Sequence, residues 1–61
     1  MPIVQIELVE GRTLEQKREL SKKVTEAIVE AINVPQDAVK IIIREMKKDN
    51  YSEGGILRCD R

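Results

Sequence analysis

The sequence predicts an α/β fold in which a single β-α-β unit makes up the subunit. Two short runs rich in Ile and Val flank a longer segment whose apolar residues recur at helical spacing. A strand, a crossover helix and a second strand predict parallel strands with a right-handed connection. With 61 residues, the chain has room for one domain, which we expect to span residues 1–61.

The first predicted strand covers residues 3–9, where apolar and polar side chains alternate. Val4, Ile6 and Leu8 fall on one wholly apolar face, which is typical of a half-buried strand. Gln5 and Glu7 fall on the other face. Gly11 follows directly and gives the chain the backbone freedom that a sharp turn needs.

The helix is predicted to run from Leu14 to Ile32. Thr13 and Gln16 have the spacing of a capping box, which satisfies free N–H groups at a helix start. At the other end Asn33 tolerates the left-handed conformation, and Pro35 cannot continue a helix. One apolar stripe is expected, made of Leu20, Val24, Ala27, Ile28, Ala31 and Ile32.

The second predicted strand covers residues 39–46 and is apolar on both faces, because Ile41, Ile42 and Ile43 are consecutive. A single helix covers only one face of a two-stranded sheet. The other face therefore needs a second copy of the chain, and a homo-oligomer of at least two chains is predicted. The polar tail is expected to turn at Gly54-Gly55, to form a short hairpin with Ile56-Leu57 and to pack on a neighbouring subunit.

Composition excludes several classes of function. Eleven basic residues balance eleven acidic ones, and Tyr51 is the only aromatic residue, so nucleic acid is not an expected partner. Cys59 is the only cysteine and histidine is absent, so neither a disulfide nor a metal site is expected, and no cofactor is required. No apolar run reaches the length of about 20 residues that spans a membrane, so a soluble, cytoplasmic protein is expected.

Several motifs together resemble the 4-oxalocrotonate tautomerase family of the tautomerase superfamily. They are Met1-Pro2-Ile3-Val4-Gln5-Ile6, Glu10-Gly11-Arg12, Glu15-Gln16-Lys17, Glu45-Met46 and Gly54-Gly55. The resemblance implies small β-α-β subunits that assemble as hexamers, as trimers of dimers, and that need no metal or cofactor. It also implies an amino-terminal proline that moves a proton between an enol oxygen and a carbon of a small anionic enol or keto acid.

The resemblance assigns expected roles to four residues. Pro2, once Met1 is removed, is the general base and then the general acid. Arg12 of a neighbouring subunit binds a substrate carboxylate, and Tyr51 lines the pocket. Lys40 stands where the best-known members have a second arginine; it keeps the charge but lacks the planar two-pronged grip on a carboxylate. This difference leaves three classes of expected substrate open: a dicarboxylate such as 2-hydroxymuconate, a monoacid dienol and an arylenolpyruvate.

The chemistry is also reasonable without the resemblance. A free α-amine has a pKa of about 7.7 to 8.0, and burial or nearby cations lower the pKa towards the neutral range where a base works best. If Met1 stays attached, the Pro2 nitrogen is an amide and cannot accept a proton. Two alternatives remain open: a hydratase or dehalogenase acting on a small unsaturated acid, and a non-catalytic oligomeric β-α-β module.

Overall fold

The computed structural model describes residues 1–61 and contains one β-α-β unit followed by a small hairpin. Its elements are β1 (Ile3–Val9), α1 (Leu14–Ile32), β2 (Lys40–Met46), β3 (Ser52–Glu53) and β4 (Ile56–Leu57), with short 3₁₀ turns at Gln36–Ala38, Lys48–Asn50 and Arg58–Asp60. β1 and β2 are parallel neighbours, and β3 and β4 are antiparallel. The predicted fold, including the turn at the paired glycines, is confirmed.

The helix packs on the apolar face of the sheet. On that face Val4 lies opposite Ile41 and Ile6 lies opposite Ile43, and all four side chains are half-buried. Glu45 follows on the same face of β2 by strand alternation and forms an ion pair with Lys17 of α1. This pair joins the first half of the helix to the end of the second strand.

Both helix ends are closed by local hydrogen bonds, as the sequence predicts. The Thr13 hydroxyl accepts from the Gln16 backbone N–H at 3.1 Å, and the Gln16 side-chain oxygen accepts from the Thr13 N–H at 2.9 Å. Asn33 adopts a φ of 57° and donates its N–H to the Val29 carbonyl at 2.9 Å. These bonds satisfy backbone groups that a helix leaves free at its ends.

The second strand starts one residue later than predicted. Val39 is extended, but its N–H donates to the Gln36 carbonyl at 3.1 Å and closes the preceding 3₁₀ turn. The first N–H of β2 that reaches the neighbouring strand is that of Lys40, which donates to the Pro2 carbonyl at 2.9 Å.

The single chain leaves much apolar surface open, and 0 of its 61 residues are fully buried. On the sheet face away from α1, Ile3 is 56% and Ile42 is 41% exposed. Only half of the predicted helix stripe, Leu20, Val24 and Ile28, is half-buried, whereas Ala27, Ala31 and Ile32 are exposed. The exposed half of the stripe and the open sheet face are the surfaces that a further chain would cover.

We predict that Ile42→Lys weakens assembly and folding together. If Ile42 is covered by another chain, its replacement costs about 1.5 to 3 kcal/mol in lost burial, before the cost of a buried charge is added. Light scattering should show a smaller particle than the wild type. The wild-type melting temperature should rise with chain concentration, because association stabilises only the folded chain.

Glu26→Lys is the matched control, because it places the same side chain on an exposed helical position. It should keep the wild-type mass and melt within a few degrees of the wild type. An Ile42→Lys protein of unchanged mass and stability would show that the outer sheet face is not an interface.

Thr13→Ala should destabilise the protein by about 1 kcal/mol, since it removes the acceptor for the Gln16 N–H at the start of the helix. Urea unfolding at one fixed chain concentration measures the change. Thr13→Ser retains the hydroxyl and should lie close to the wild type. Equal losses in the two variants would mean that the hydroxyl bond is not what matters at this position.

Candidate active site

Pro2 and Lys40 lie together at the amino-terminal edge of the sheet. Lys40 donates its backbone N–H to the Pro2 carbonyl at 2.9 Å, and the next residue, Ile3, pairs with Lys40 across the ladder. Pro2 is half-buried, whereas Met1 is 80% exposed. With Met1 attached, the Pro2 nitrogen is part of a peptide bond. Removing Met1 would free that nitrogen without disturbing the bond that holds Pro2 to β2.

The Lys40 side chain turns back towards the loop before β2. Its Nζ donates to the Asp37 carbonyl at 2.8 Å and has no acidic partner within ion-pair distance. An ammonium group has three N–H donors, so two remain for a ligand. The position is therefore cationic and partly anchored, but it does not present a guanidinium fork.

Arg12 lies at the opposite edge of the sheet, beyond the carboxyl end of β1. Gly11, with a φ of 124°, turns the chain there, and Arg12 is followed by the helix cap Thr13. Arg12 is exposed and forms no ion pair with an acidic residue of its own chain. The turn and the cap hold the backbone of Arg12 from both sides, while its guanidinium remains available.

Tyr51 is brought beside Arg12 by the C-terminal hairpin. Gly54 and Gly55 take φ values of 59° and 84°, which permits the tight turn between β3 and β4. The returning chain is fixed to Tyr51 by the Arg58 N–H, which donates to the Tyr51 carbonyl at 2.8 Å. A hollow of about 350 Å³ results, lined by Glu7, Leu8, Val9, Arg12, Met46, Tyr51 and Arg58. Its volume lies within the range of about 300–1,000 Å³ found for small-molecule sites.

The four residues expected at the site thus form two pairs at opposite edges of one chain. β1 has seven residues, which at about 3.3 Å per residue separates its ends by about 20 Å. Pro2 and Lys40 lie at one end, and Arg12 and Tyr51 lie at the other. A single chain does not bring all four together. A site that uses all of them needs the opposite edges of different subunits.

Arg58 is a cation of this site that sequence reasoning missed. It lines the Tyr51 hollow and also a neighbouring hollow of about 480 Å³, lined by Val9, Glu10, Gly11, Arg12, Lys48, Arg58 and Arg61. The available signal was the glycine turn, since a hairpin closing at Gly54-Gly55 returns the chain to Tyr51 within a few residues. The polar composition of the tail conceals that geometry.

The remaining surface offers no competing site of clear chemistry. The largest hollow, of about 670 Å³, runs along α1 and is lined by none of the four expected residues. No cluster of three or more His, Cys, Asp or Glu side chains is placed to hold a metal ion. No helix has the length and apolar character needed to cross a membrane.

Comparison with known proteins supplies the family. The profile of the family described as "Tautomerase enzyme" matches residues 2–57. A protein of Streptococcus pneumoniae named a probable tautomerase is 52% identical over 58 residues, which cover 95% of this chain and 97% of that protein.

Two solved structures share the fold at high similarity. A heterohexameric 4-oxalocrotonate tautomerase from Chloroflexus aurantiacus superposes with a TM-score of 0.92 at 35% identity, covering 98% of this chain and 97% of its own. A protein solved for an analysis of trans-3-chloroacrylic acid dehalogenase activity superposes with a TM-score of 0.82 at 36% identity. The match covers 92% of this chain and 97% of that protein's chain. The resemblance seen in the sequence motifs is confirmed: the chain belongs to the tautomerase family and is an enzyme of the tautomerase type, with the fold of the 4-oxalocrotonate tautomerases.

Proposed function

We propose that the protein, after removal of Met1, is a cofactor-free tautomerase that ketonises a 2-hydroxydienoate or a related enol acid, such as 2-hydroxymuconate. The observation that carries the proposal is the division of the site between the two edges of the sheet. Pro2 and Lys40 lie at one edge, and Arg12 and Tyr51 lie at the other. Assembly of identical chains is the means by which one edge meets the other.

In the proposed reaction, the free Pro2 nitrogen takes the proton of the enol hydroxyl. The electron pair released from that O–H bond forms the ketone carbonyl, and the π electrons of the diene move towards a carbon. That carbon then takes a proton back from the prolinium, so one O–H bond is broken and one C–H bond is formed. A positioned acid–base group of this kind is worth about 10²- to 10⁴-fold in rate.

The neighbouring side chains have distinct parts in this scheme. Arg12, which has no acidic partner in its own chain, holds the substrate carboxylate from an adjacent subunit. Lys40, at the same sheet edge as Pro2, has two unused N–H donors and stabilises the negative charge that develops on the enol oxygen. Tyr51 supplies an apolar wall that excludes water.

The assembly we propose is a homohexamer, arranged as a trimer of dimers. The open sheet face around Ile42, the exposed half of the helix stripe and the hairpin give each chain more than one surface to cover. A hexameric relative with the same subunit fold supports that number. Identical chains would then present equivalent sites, each built from more than one subunit.

A dehalogenase or hydratase acting on a small unsaturated acid is the second candidate, and the similarity to the trans-3-chloroacrylic acid dehalogenase structure favours it. Pro2 would act there as an acid. The Tyr51 hollow contains one carboxylate, Glu7, whose Oε2 lies 3.9 Å from Arg44 Nη1, and Glu10 lines the neighbouring hollow. Tautomerisation ranks first because the family profile that matches residues 2–57 is that of a tautomerase. The family match over residues 2–57 is to an enzyme, and it disfavours a non-catalytic module.

The test of the base is ketonisation of 2-hydroxymuconate, followed by ultraviolet absorbance. Pro2→Ala should lower kcat/KM by about 10²-fold, because it replaces a fixed ring nitrogen with a mobile primary amine. A form that keeps one residue ahead of Pro2 should be inactive, since its nitrogen is an amide. Intact mass must confirm the N-terminus of each protein. Equal rates in the wild type and the blocked form would end the proposal.

The division of the site between subunits has its own test. Pro2→Ala and Arg12→Ala chains, each of low activity alone, are unfolded together in equal amounts and refolded. Random assembly places an intact Pro2 beside an intact Arg12 of another chain in about a quarter of the sites, so about a quarter of wild-type activity should return. Separately refolded variants are the control. A mixture no better than the mean of the two variants would mean that both groups act from the same chain.

A further inference from the structure

We propose that Arg58 is a second carboxylate-binding guanidinium of the active site, acting beside Arg12. The inference rests on the proposed function for the identity of the substrate, but its geometry stands on its own. Arg12 and Arg58 line the same two hollows, and Tyr51 lies with them in the smaller one. The anion they would take is the carboxylate of the enol acid.

The absence of an ion pair distinguishes Arg12 and Arg58 from the other arginines of the chain. The chain has five arginines. Three of them have acidic partners: Arg18 with Glu15 at 2.7 Å, Arg44 with Glu7 at 3.9 Å, and Arg61 with Glu53 at 3.9 Å. Arg12 and Arg58 have none, and they are the two arginines that line the Tyr51 hollow. Two unpaired guanidiniums in one hollow repel each other, and a bound anion removes that repulsion.

The backbone holds Arg58 in place without using its side chain. Its N–H donates to the Tyr51 carbonyl at 2.8 Å, directly after the β3–β4 hairpin. The Arg58 side chain therefore starts from a fixed point of the cavity wall, and all five of its N–H donors are available to a ligand. Because the guanidinium is planar, its N–H groups form a rigid fork that matches a carboxylate.

The acidic side chains near the hollow do not replace the ligand. Glu7 lines the smaller hollow and Glu10 the larger, and neither lies within ion-pair distance of Arg12 or Arg58. Glu7 is engaged with Arg44 instead. The charge left at the shared wall is positive, which fits a carboxylate.

The inference also bears on Lys40. That residue has no guanidinium and already gives one N–H to the Asp37 carbonyl. If the carboxylate is gripped by Arg12 and Arg58 of one subunit, the Lys40 of another need only face the enol oxygen. Recognition of the acid then depends on one edge of the sheet, and stabilisation of the dienolate depends on the other.

The experiment compares Arg58→Ala, Arg58→Lys and the control Arg18→Ala, all confirmed to lack Met1 and to keep the wild-type mass in light scattering. Arg18 carries the same charge, but it is paired with Glu15 and lines neither of the two hollows that hold Arg12 and Arg58. With 2-hydroxymuconate, Arg58→Ala should raise KM about tenfold and change kcat less than about twofold. Arg58→Lys should be intermediate, and Arg18→Ala should stay within about twofold of the wild type.

Binding of glutarate and of its neutral diamide, measured by calorimetry, separates this inference from the proposed function. Arg58→Ala should weaken glutarate binding about tenfold and leave the diamide unchanged. If the wild type does not ketonise the enol but loses glutarate affinity with Arg58→Ala, the proposed function fails and the carboxylate site stands. Failure of the wild type to bind glutarate, or equal affinities in Arg58→Ala and Arg18→Ala, would overturn the inference.

Discussion

The structure depends on a mismatch between one helix and one two-stranded sheet. The helix covers the face of Val4, Ile6, Ile41 and Ile43, and the opposite face has nothing in the chain to cover it. With 0 of 61 residues fully buried, the apolar surface removed from water within one chain is small for a domain of this size. The conformational entropy lost on ordering a chain of this size exceeds the free energy that is gained by burying so little apolar surface. Folding and association are therefore expected to be coupled. Contacts between subunits would then be what stabilises the geometry of the site.

The same mismatch explains how the charges are arranged. Cations along the helix and the outer strand face pair with nearby acids, as Arg18 does with Glu15 and Arg44 with Glu7. Exposed pairs of this kind contribute little to stability, about 0 to 1 kcal/mol each. They do neutralise the charge of each paired cation, which makes that cation less available to an anionic ligand. Arg12, Lys40 and Arg58, which lie at the two sheet edges, lack such partners, as do Lys22, Lys47 and Lys48. Unpaired positive charge therefore remains at the edges where we propose that an acid substrate binds, although the net charge of the chain is zero.

What the sequence predicted correctly is what short stretches determine by themselves. The bonds between Thr13 and Gln16 and the left-handed Asn33 are fixed by residues a few positions apart, so both helix ends were predictable. Ala27, Ala31 and Ile32 belong to the apolar stripe but stay exposed, because the position of a covering chain decides which part of a stripe is buried. The sequence did not indicate Arg58, because Arg58 lies beside Tyr51 only when the hairpin has closed. The only signal is the Gly54-Gly55 turn between the two residues, and it does not indicate which side chains the closed hairpin brings together.

The location of the proposed base follows from the backbone alone. The Pro2 carbonyl accepts the Lys40 N–H, and this bond ties Pro2 to the sheet through the backbone. The proline nitrogen is itself a backbone atom, so no rotatable side-chain bond separates it from the strand, and the ring fixes φ. The nitrogen is thereby held as firmly as the first strand itself. If Pro2 is the base, a change in the surrounding cations, such as Lys40→Arg, would alter the charge that faces the acid without moving the atom that carries the proton. Substrate choice and proton transfer would then depend on different residues, because the backbone hydrogen bond to Lys40 holds Pro2 whatever side chain position 40 carries.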